Sequence, residues 1–229
     1  MARSQLLKDI VSGRERIENI LLRLKVILSD LDNDIIMAWV DGELRGYKDD
    51  QDIPAYRILR GIPMGTYIVN YSTQYTNSQV PLEALLEKEK IINICTLHFD
   101  DSINSIENMI NGENHNNIAK PIPTAFCHGI STGNLQIASM NVKFSSNQLD
   151  GIVSNVKSKL VEVIMELEKQ FDNIEELDIA EQIEDDINKK EAVIYNIEKI
   201  IYEGSIEVGD KNKIKDSRIG NWLSRSDNS

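Results

Sequence analysis

Trp39-Val40-Asp41-Gly42-Glu43-Leu44-Arg45-Gly46-Tyr47, followed by Ile53-Pro54-Ala55-Tyr56-Arg57, is where this chain passes from helical to extended patterning. The stretch reads as the end of an amphipathic helix, a glycine stop, a short acidic loop and the start of a strand. Upstream, Asp32 or Asn33 can cap the helix, whose expected buried stripe is Ile35, Ile36, Trp39, Val40 and Leu44. Gly46 stands where a left-handed C-terminal cap is expected. Downstream, Tyr56 to Arg60 and Thr66 to Tyr75 are rich in β-branched and aromatic residues and are punctuated by Gly61, Pro63 and Gly65. A helix thus meets a small antiparallel sheet, and the fold class expected is α+β, predominantly α.

Apolar residues from Leu6 to Leu28 recur at three-and-four spacing, interrupted near Gly13, so one long helix is expected over residues 4–28. With the helix ending at Gly46 it forms an N-terminal helical hairpin. On the other side of the sheet, Val80-Pro81 opens a helix running to about Cys95, because proline suits a first turn. Asp100 or Asp101 is expected to cap a helix carrying Ile103, Ile106, Met109 and Ile110. Residues 111–117 read as a loop, and Pro121, Pro123, Gly129 and Gly133 as an irregular crossing. Leu135 to Phe144 alternates like a strand. Ser145 or Ser146 then caps a long helix to Phe171, and a second long helix is expected from Ile174 to Tyr202. The tail contains two short alternating runs about Gly209-Asp210-Lys211-Asn212, which read as a β-like hairpin or a frayed end. Three regions are expected: 1–173, an acidic helix over 174–203, and a tail over 204–229.

Charge separates these regions. Between Glu162 and Glu207 there are 15 acidic and 4 basic residues, nearly the whole of the net charge of −12. This is the pattern of a solvated helix face. Such a balance argues against non-specific nucleic-acid binding, which needs a basic surface to displace counterions. No apolar run is long enough to span a bilayer, the N-terminus has no signal pattern, and Cys95 and Cys127 suggest neither a metal site nor a disulfide framework. The expected setting is cytoplasmic.

The familiar catalytic and phosphate-binding motifs are missing: there is no glycine loop followed by Lys-Ser/Thr, no HExxH, no CxxC and no G-x-S-x-G. His98 lies beside Asp100 and Asp101, and His128 beside Cys127, so each is a candidate base or ligand, although a strand end or loop explains them more simply. Glu181, Glu184, Asp185 and Asp186 cluster carboxylates but lack the glycine-bearing loop of a calcium site, and neither metal nor cofactor is expected. Glu43 and Arg57 are the more interesting candidates. A carboxylate and a guanidinium at a helix–strand junction most often form a structural ion pair, and the other reading is a recognition or catalytic pocket.

Trp39, Glu43, Leu44, Gly46, Tyr47, Pro54, Tyr56 and Arg57 follow the pattern W-x3-E-L-x-G-Y, an acidic spacer, then P-x-Y-R. In this the chain resembles the N-terminal domain of the AbiTii abortive-infection proteins over about residues 4–175. The resemblance implies a role in bacterial defence against phage, in which the infected cell stops growing or dies before progeny are released. It implies no substrate, cofactor or active site, and the eight residues carry over only as a family signature. Their physical reading is that Trp39 and Tyr47 anchor the helix against the sheet, Gly46 ends it, and Arg57 pairs with a carboxylate such as Glu43.

Two functions of different class follow. The first, which is favoured, is a non-enzymatic defence protein acting as sensor, scaffold or effector subunit, with a homo-oligomer, a partner defence protein or a phage component as the other party. Its contacts would include tail residues Ile206, Val208, Ile214, Ile219 and Trp222. The second is an enzymatic toxin acting on nucleic acid or nucleotides, drawing on Glu43, Arg57 and His98 or His128.

Overall fold

Ser4 begins the ordered helices: its hydroxyl oxygen accepts from the Leu7 amide at 3.1 Å, capping α1 (Gln5–Ser12). The computed structural model describes residues 3–48, 52–112, 118–184 and 187–202. The single helix expected over 4–28 is in fact two. Gly13 adopts φ 64° and closes α1, and α2 (Ile17–Ser29) starts in a new direction. Arg14, Glu15 and Arg16, all exposed, offer no apolar residue to hold a continuous helix against the core. Beyond the break, Ile17, Ile20, Leu21, Leu24, Ile27 and Leu28 are all buried.

Of the two proposed caps, Asn33 serves α3 (Asp34–Arg45), its Oδ1 accepting from the Ile36 amide at 2.9 Å. The buried line of α3 runs Ile36, Trp39, Val40 and Glu43, while Ile35 is exposed and Leu44 only half-buried. The stripe is therefore rotated from the all-apolar one expected, and a carboxylate takes an interior position. Gly46 has positive φ but extended ψ (89°, 157°), so it is not a left-handed cap. A Cβ there would stand 2.7 Å from the Asp100 carbonyl oxygen, where the chain passes close enough for the Tyr47 amide to donate to that oxygen at 2.8 Å.

Among the described residues the strands form two antiparallel sheets. β1 (Ile58–Arg60) pairs with β4 (Thr96–His98), and β2 (Ile62–Val69), β3 (Thr73–Gln79), β5 (Ala119–Ile122) and β6 (Leu135–Lys143) make a sheet of order β3-β2-β6-β5. The run from Thr66 to Tyr75 forms a hairpin, the chain reversing where Asn70 and Tyr71 take positive φ. Pro121 is not in an irregular crossing. It lies in β5, an edge strand, where a missing amide hydrogen is tolerated, and α6 (Thr124–Ile130) follows directly.

The helix expected from Val80 to Cys95 is a 3-10 turn, Leu82–Ala84, followed by α4 (Lys88–Cys95). Fully buried Leu82 sets the break, and its carbonyl accepts from both the Leu85 and Leu86 amides. Ser102, not Asp100 or Asp101, caps α5 (Ile103–Asn111). Ile103 and Ile106 of α5 are buried, whereas Met109 is 40% exposed.

The long helix appears as expected: α7 (Ser146–Gln170) buries Leu149, Ile152, Val156, Leu160, Val163, Ile164 and Leu167. Its successor is interrupted. A 3-10 turn at Ile174–Glu176 ends in left-handed Leu177, and α8 (Ala180–Glu184) and α9 (Ile187–Tyr202) follow. The Ile179 amide donates to Asp30, tying this break to the end of α2.

Two apolar clusters hold the described residues together. The larger joins α1, α2, α3, α5, α7 and α9 with Leu59, Val142 and Phe144, so Val193, Ile197 and Ile201 of the acidic segment belong to the main core. The smaller gathers Tyr67, Val80, Leu82, Cys127, Leu135, Ile137 and Met140 beneath the larger sheet. Among the described residues no helix is long and apolar enough to cross a membrane.

Candidate functional site

Five of the eight signature residues converge on one interior network. Arg57, at the end of the 3-10 turn Ala55–Arg57, faces Glu43 on the last turn of α3, and both are wholly buried. Arg57 Nη2 donates to Glu43 Oε2 at 2.5 Å and Nε to Oε1 at 3.1 Å, a two-pronged pairing that a lysine cannot reproduce. The third nitrogen, Nη1, donates to the Phe99 carbonyl at 3.1 Å and the Asp101 carbonyl at 2.6 Å. Glu43 Oε1 also accepts from the Tyr47 hydroxyl at 2.8 Å and the Tyr56 hydroxyl at 2.6 Å. Tyr56 in turn accepts from Trp39 Nε1 at 2.9 Å, and the guanidinium lies 5.0 Å from the centre of the Tyr47 ring.

The remaining signature residues build the junction. Pro54, buried with φ −57°, starts the 3-10 turn and its carbonyl accepts from the Arg57 amide. Gly46 permits the close pass beneath Asp100, and Leu44 packs on the margin of the main core. The motif omits one residue that the geometry requires. A Cβ on Gly42 would lie 2.4 Å from the Tyr47 ring, so only glycine lets that ring fold back onto α3. A mid-helix glycine shortly before an aromatic was the available signal. The partnering carbonyls of Phe99 and Asp101 carry no sequence signal, since every residue has one.

The electrostatics are those of a closed ion pair. Burial works against the Arg57 charge, but Glu43 outweighs it and holds the guanidinium more firmly protonated than usual. Burial, reinforced by the Glu43 charge, pushes both the Tyr47 and Tyr56 hydroxyls well above the ordinary tyrosine range, so they act only as neutral donors to the carboxylate. Every charged atom of the pair is engaged, as interior charge demands.

The histidines stand apart from this network. His98 is exposed on β4 opposite Ile58, and His128 is exposed on α6 beside buried Cys127. The hydrogen bonds of Glu43 and Arg57 run to each other, to the two tyrosines and to the Phe99 and Asp101 carbonyls, and neither histidine takes part. A shallow groove of about 280 Å³ lined by Arg45, Gly46, Tyr47, Lys48, Asp100, Asp101, Ser102 and Ser105 meets the network at Tyr47 and Asp101 and is lined by neither Glu43 nor Arg57. A larger groove of about 600 Å³ lies elsewhere, between the start of α1 and the end of α7. Among the described residues no three His, Cys, Asp or Glu side chains gather to hold a metal. The side chains of residues 184–186, and so most of the acidic cluster, lie outside the described residues, as do His115 and the tail positions Ile206, Val208, Ile214, Ile219 and Trp222.

Comparison with known proteins gives one match. No curated protein and no solved structure matches the chain. The AbiTii family model matches residues 4–193, from the cap of α1 into α9 and past residue 175, where the motif resemblance was expected to fade. With most of its length matched, the chain belongs to the AbiTii family of abortive-infection proteins, which act in anti-phage defence.

Proposed function

We propose that this protein serves anti-phage defence by binding or assembly, as a sensor, scaffold or effector subunit, and not by chemistry at Glu43 and Arg57. One observation carries the reading: the strongest polar constellation in the molecule is sealed. A catalytic carboxylate must reach the proton it moves, whereas Glu43 is 0% exposed and its oxygens already accept four hydrogen bonds. The tail enters this reading as a second contact element, joined to α9 and bearing the alternating residues Ile206 and Val208. The acidic character of residues 162–207 keeps non-specific nucleic acid outside the partners considered.

The test separates charge from architecture. Removing one partner strands a buried charge, so single alanine variants confound folding with function. The double replacement Glu43→Leu/Arg57→Met removes the chemistry and the ion pair together, and Glu43→Gln/Arg57→Met removes both charges while keeping an acceptor for the two tyrosine hydroxyls. Cells carrying either variant, with folded protein verified by thermal melting, are expected to resist phage as the wild type does. A folded double variant that no longer protects would overturn the proposal and return Glu43 and Arg57 to an active site.

A further inference from the structure

The larger sheet and its surroundings carry almost no charge. Residues 61–82 and residues 121–142 are two runs of 22 residues without a single Asp, Glu, Lys or Arg. At the chain's 27% charged content each run would ordinarily hold about six. The two runs are separate in sequence and joined in space: they supply β2, β3, α6 and nearly all of β6, and β2 pairs with β6 along its full length. At the hairpin tip, the Asn70 amide donates to the Asn134 carbonyl and Tyr71 lies against Gly133.

Burial does not explain this composition. Six of the seven residues of β3 are exposed, Tyr71 is 72% exposed, Ile62 54%, Tyr75 43% and Phe126 39%. Solvated surface on a soluble chain normally carries charge, whereas the centres of protein–protein contacts are depleted of Lys, Glu and Asp and enriched in Tyr, Phe and Met. Moreover, β3 is an edge strand. Its inner side pairs with β2, and among the described residues no strand pairs with its other side. Natural edges are usually protected by lysine, proline or inward charge, and Thr73-Gln74-Tyr75-Thr76-Asn77-Ser78-Gln79 has none of these. One protective device is present: two residues of β3, Thr76 and Asn77, stand opposite Thr66, and Asn77 has φ 49°. This bulge twists the far end and leaves Thr73 to Tyr75 as the regular edge.

We infer that this uncharged lobe is a homotypic assembly surface, in which the β3 edges of two copies pair antiparallel about a two-fold axis. The inference rests on the assembly reading above and names its surface. Charge selects the second copy as occupant. The net negative charge of each copy is concentrated in residues 162–207, outside both uncharged runs, and an uncharged strand can face its own copy without placing like charges together. An antiparallel strand pair is self-complementary, as a two-fold contact requires. A lipid surface fits less well, because the edge amides and carbonyls and the Thr, Gln and Asn side chains would be left unsatisfied in hydrocarbon.

The experiment places charge on the edge of the full chain. Gln74 and Thr76 are exposed, so Gln74→Lys/Thr76→Lys and Gln74→Glu/Thr76→Glu should each fold with an unchanged melting temperature. Light scattering after size exclusion should give the wild type at least twice the monomer mass and each charge variant the monomer mass. An equimolar mixture of the two variants should recover the dimer, with one copy of each. A wild type that stays monomeric across the concentration range overturns the inference. So does assembly that survives both variants, or assembly lost on truncation after Tyr202 but kept in the edge variants. A monomeric wild type whose edge variants lose phage protection would also overturn it, assigning the edge to a different protein while leaving the broader binding reading intact.

Discussion

Arg57 shows how much depends on one buried side chain. Four of its N–H hydrogens are placed, two on a carboxylate and two on carbonyls from the segment that leads into α5. Arg57→Ala leaves Glu43 buried without its counter-charge and both carbonyls without this donor, and a loss of about 3–5 kcal/mol in unfolding free energy is expected from denaturant titration. Tyr47→Phe removes one donor and leaves the remaining Glu43 bonds, so a smaller cost of about 1 kcal/mol is expected in the same measurement. A second polar contact is pH-sensitive. Burial opposes ionisation of Glu168, but hydrogen bonds from Arg3 and Ser4 outweigh it and hold the carboxyl below the usual glutamate value. A depressed folded value contributes stability that is present above the unfolded value of about 4.3 and is lost as pH falls through the lower folded value. Acid titrations of wild type and Glu168→Gln should therefore converge as pH falls through the folded value, with the wild type more stable above about pH 4.3.

Among the elements, two glycines with equal room for a methyl group should respond in opposite directions. Gly13 and Gly151 each have open space where a Cβ would stand. Gly13 has φ 64° at the break between α1 and α2, so Gly13→Ala should cost about 1 kcal/mol through backbone strain. Gly151 lies within α7, and Gly151→Ala should stabilise by about 0.5–1 kcal/mol by reducing the entropy of the unfolded chain. Thermal melts of the two variants, shifting in opposite directions, check the pair. The element patterns were legible where periodicity was long: α7 and β6 lie close to where their spacing puts them. They misled where a local break overrode a periodic run, at Gly13, after Leu82 and at Leu177.

At the scale of the molecule, the acidic segment is part of the body it follows. Val193, Ile197 and Ile201 enter the same core as α7, and Lys159 Nζ on α7 donates to the Ile200 carbonyl at 2.7 Å while lying 5.7 Å from the centre of the Tyr56 ring. The end of α9 is thereby linked to the signature network through one lysine. A chain ending at residue 173 should expose the apolar face of α7 and lose cooperative unfolding, whereas one ending at Tyr202 should keep it. Circular dichroism melts of the two truncations distinguish these outcomes.

The sequence by itself determined the fold class, the helical hairpin, the long α7 and the family resemblance, because these depend on local periodicity, capping and composition, which are written along the chain. It also singled out Glu43 and Arg57 as a pair. It did not reveal that the pair is sealed. Whether a carboxylate at a helix end lies open or buried depends on which face of α3 turns inward and on what closes over it. The closing groups are the carbonyls of Phe99 and Asp101, more than forty residues away and without any side-chain signature. The joining of the two uncharged runs into one lobe was likewise settled only by strand pairing, since register is a relation between segments and belongs to neither alone.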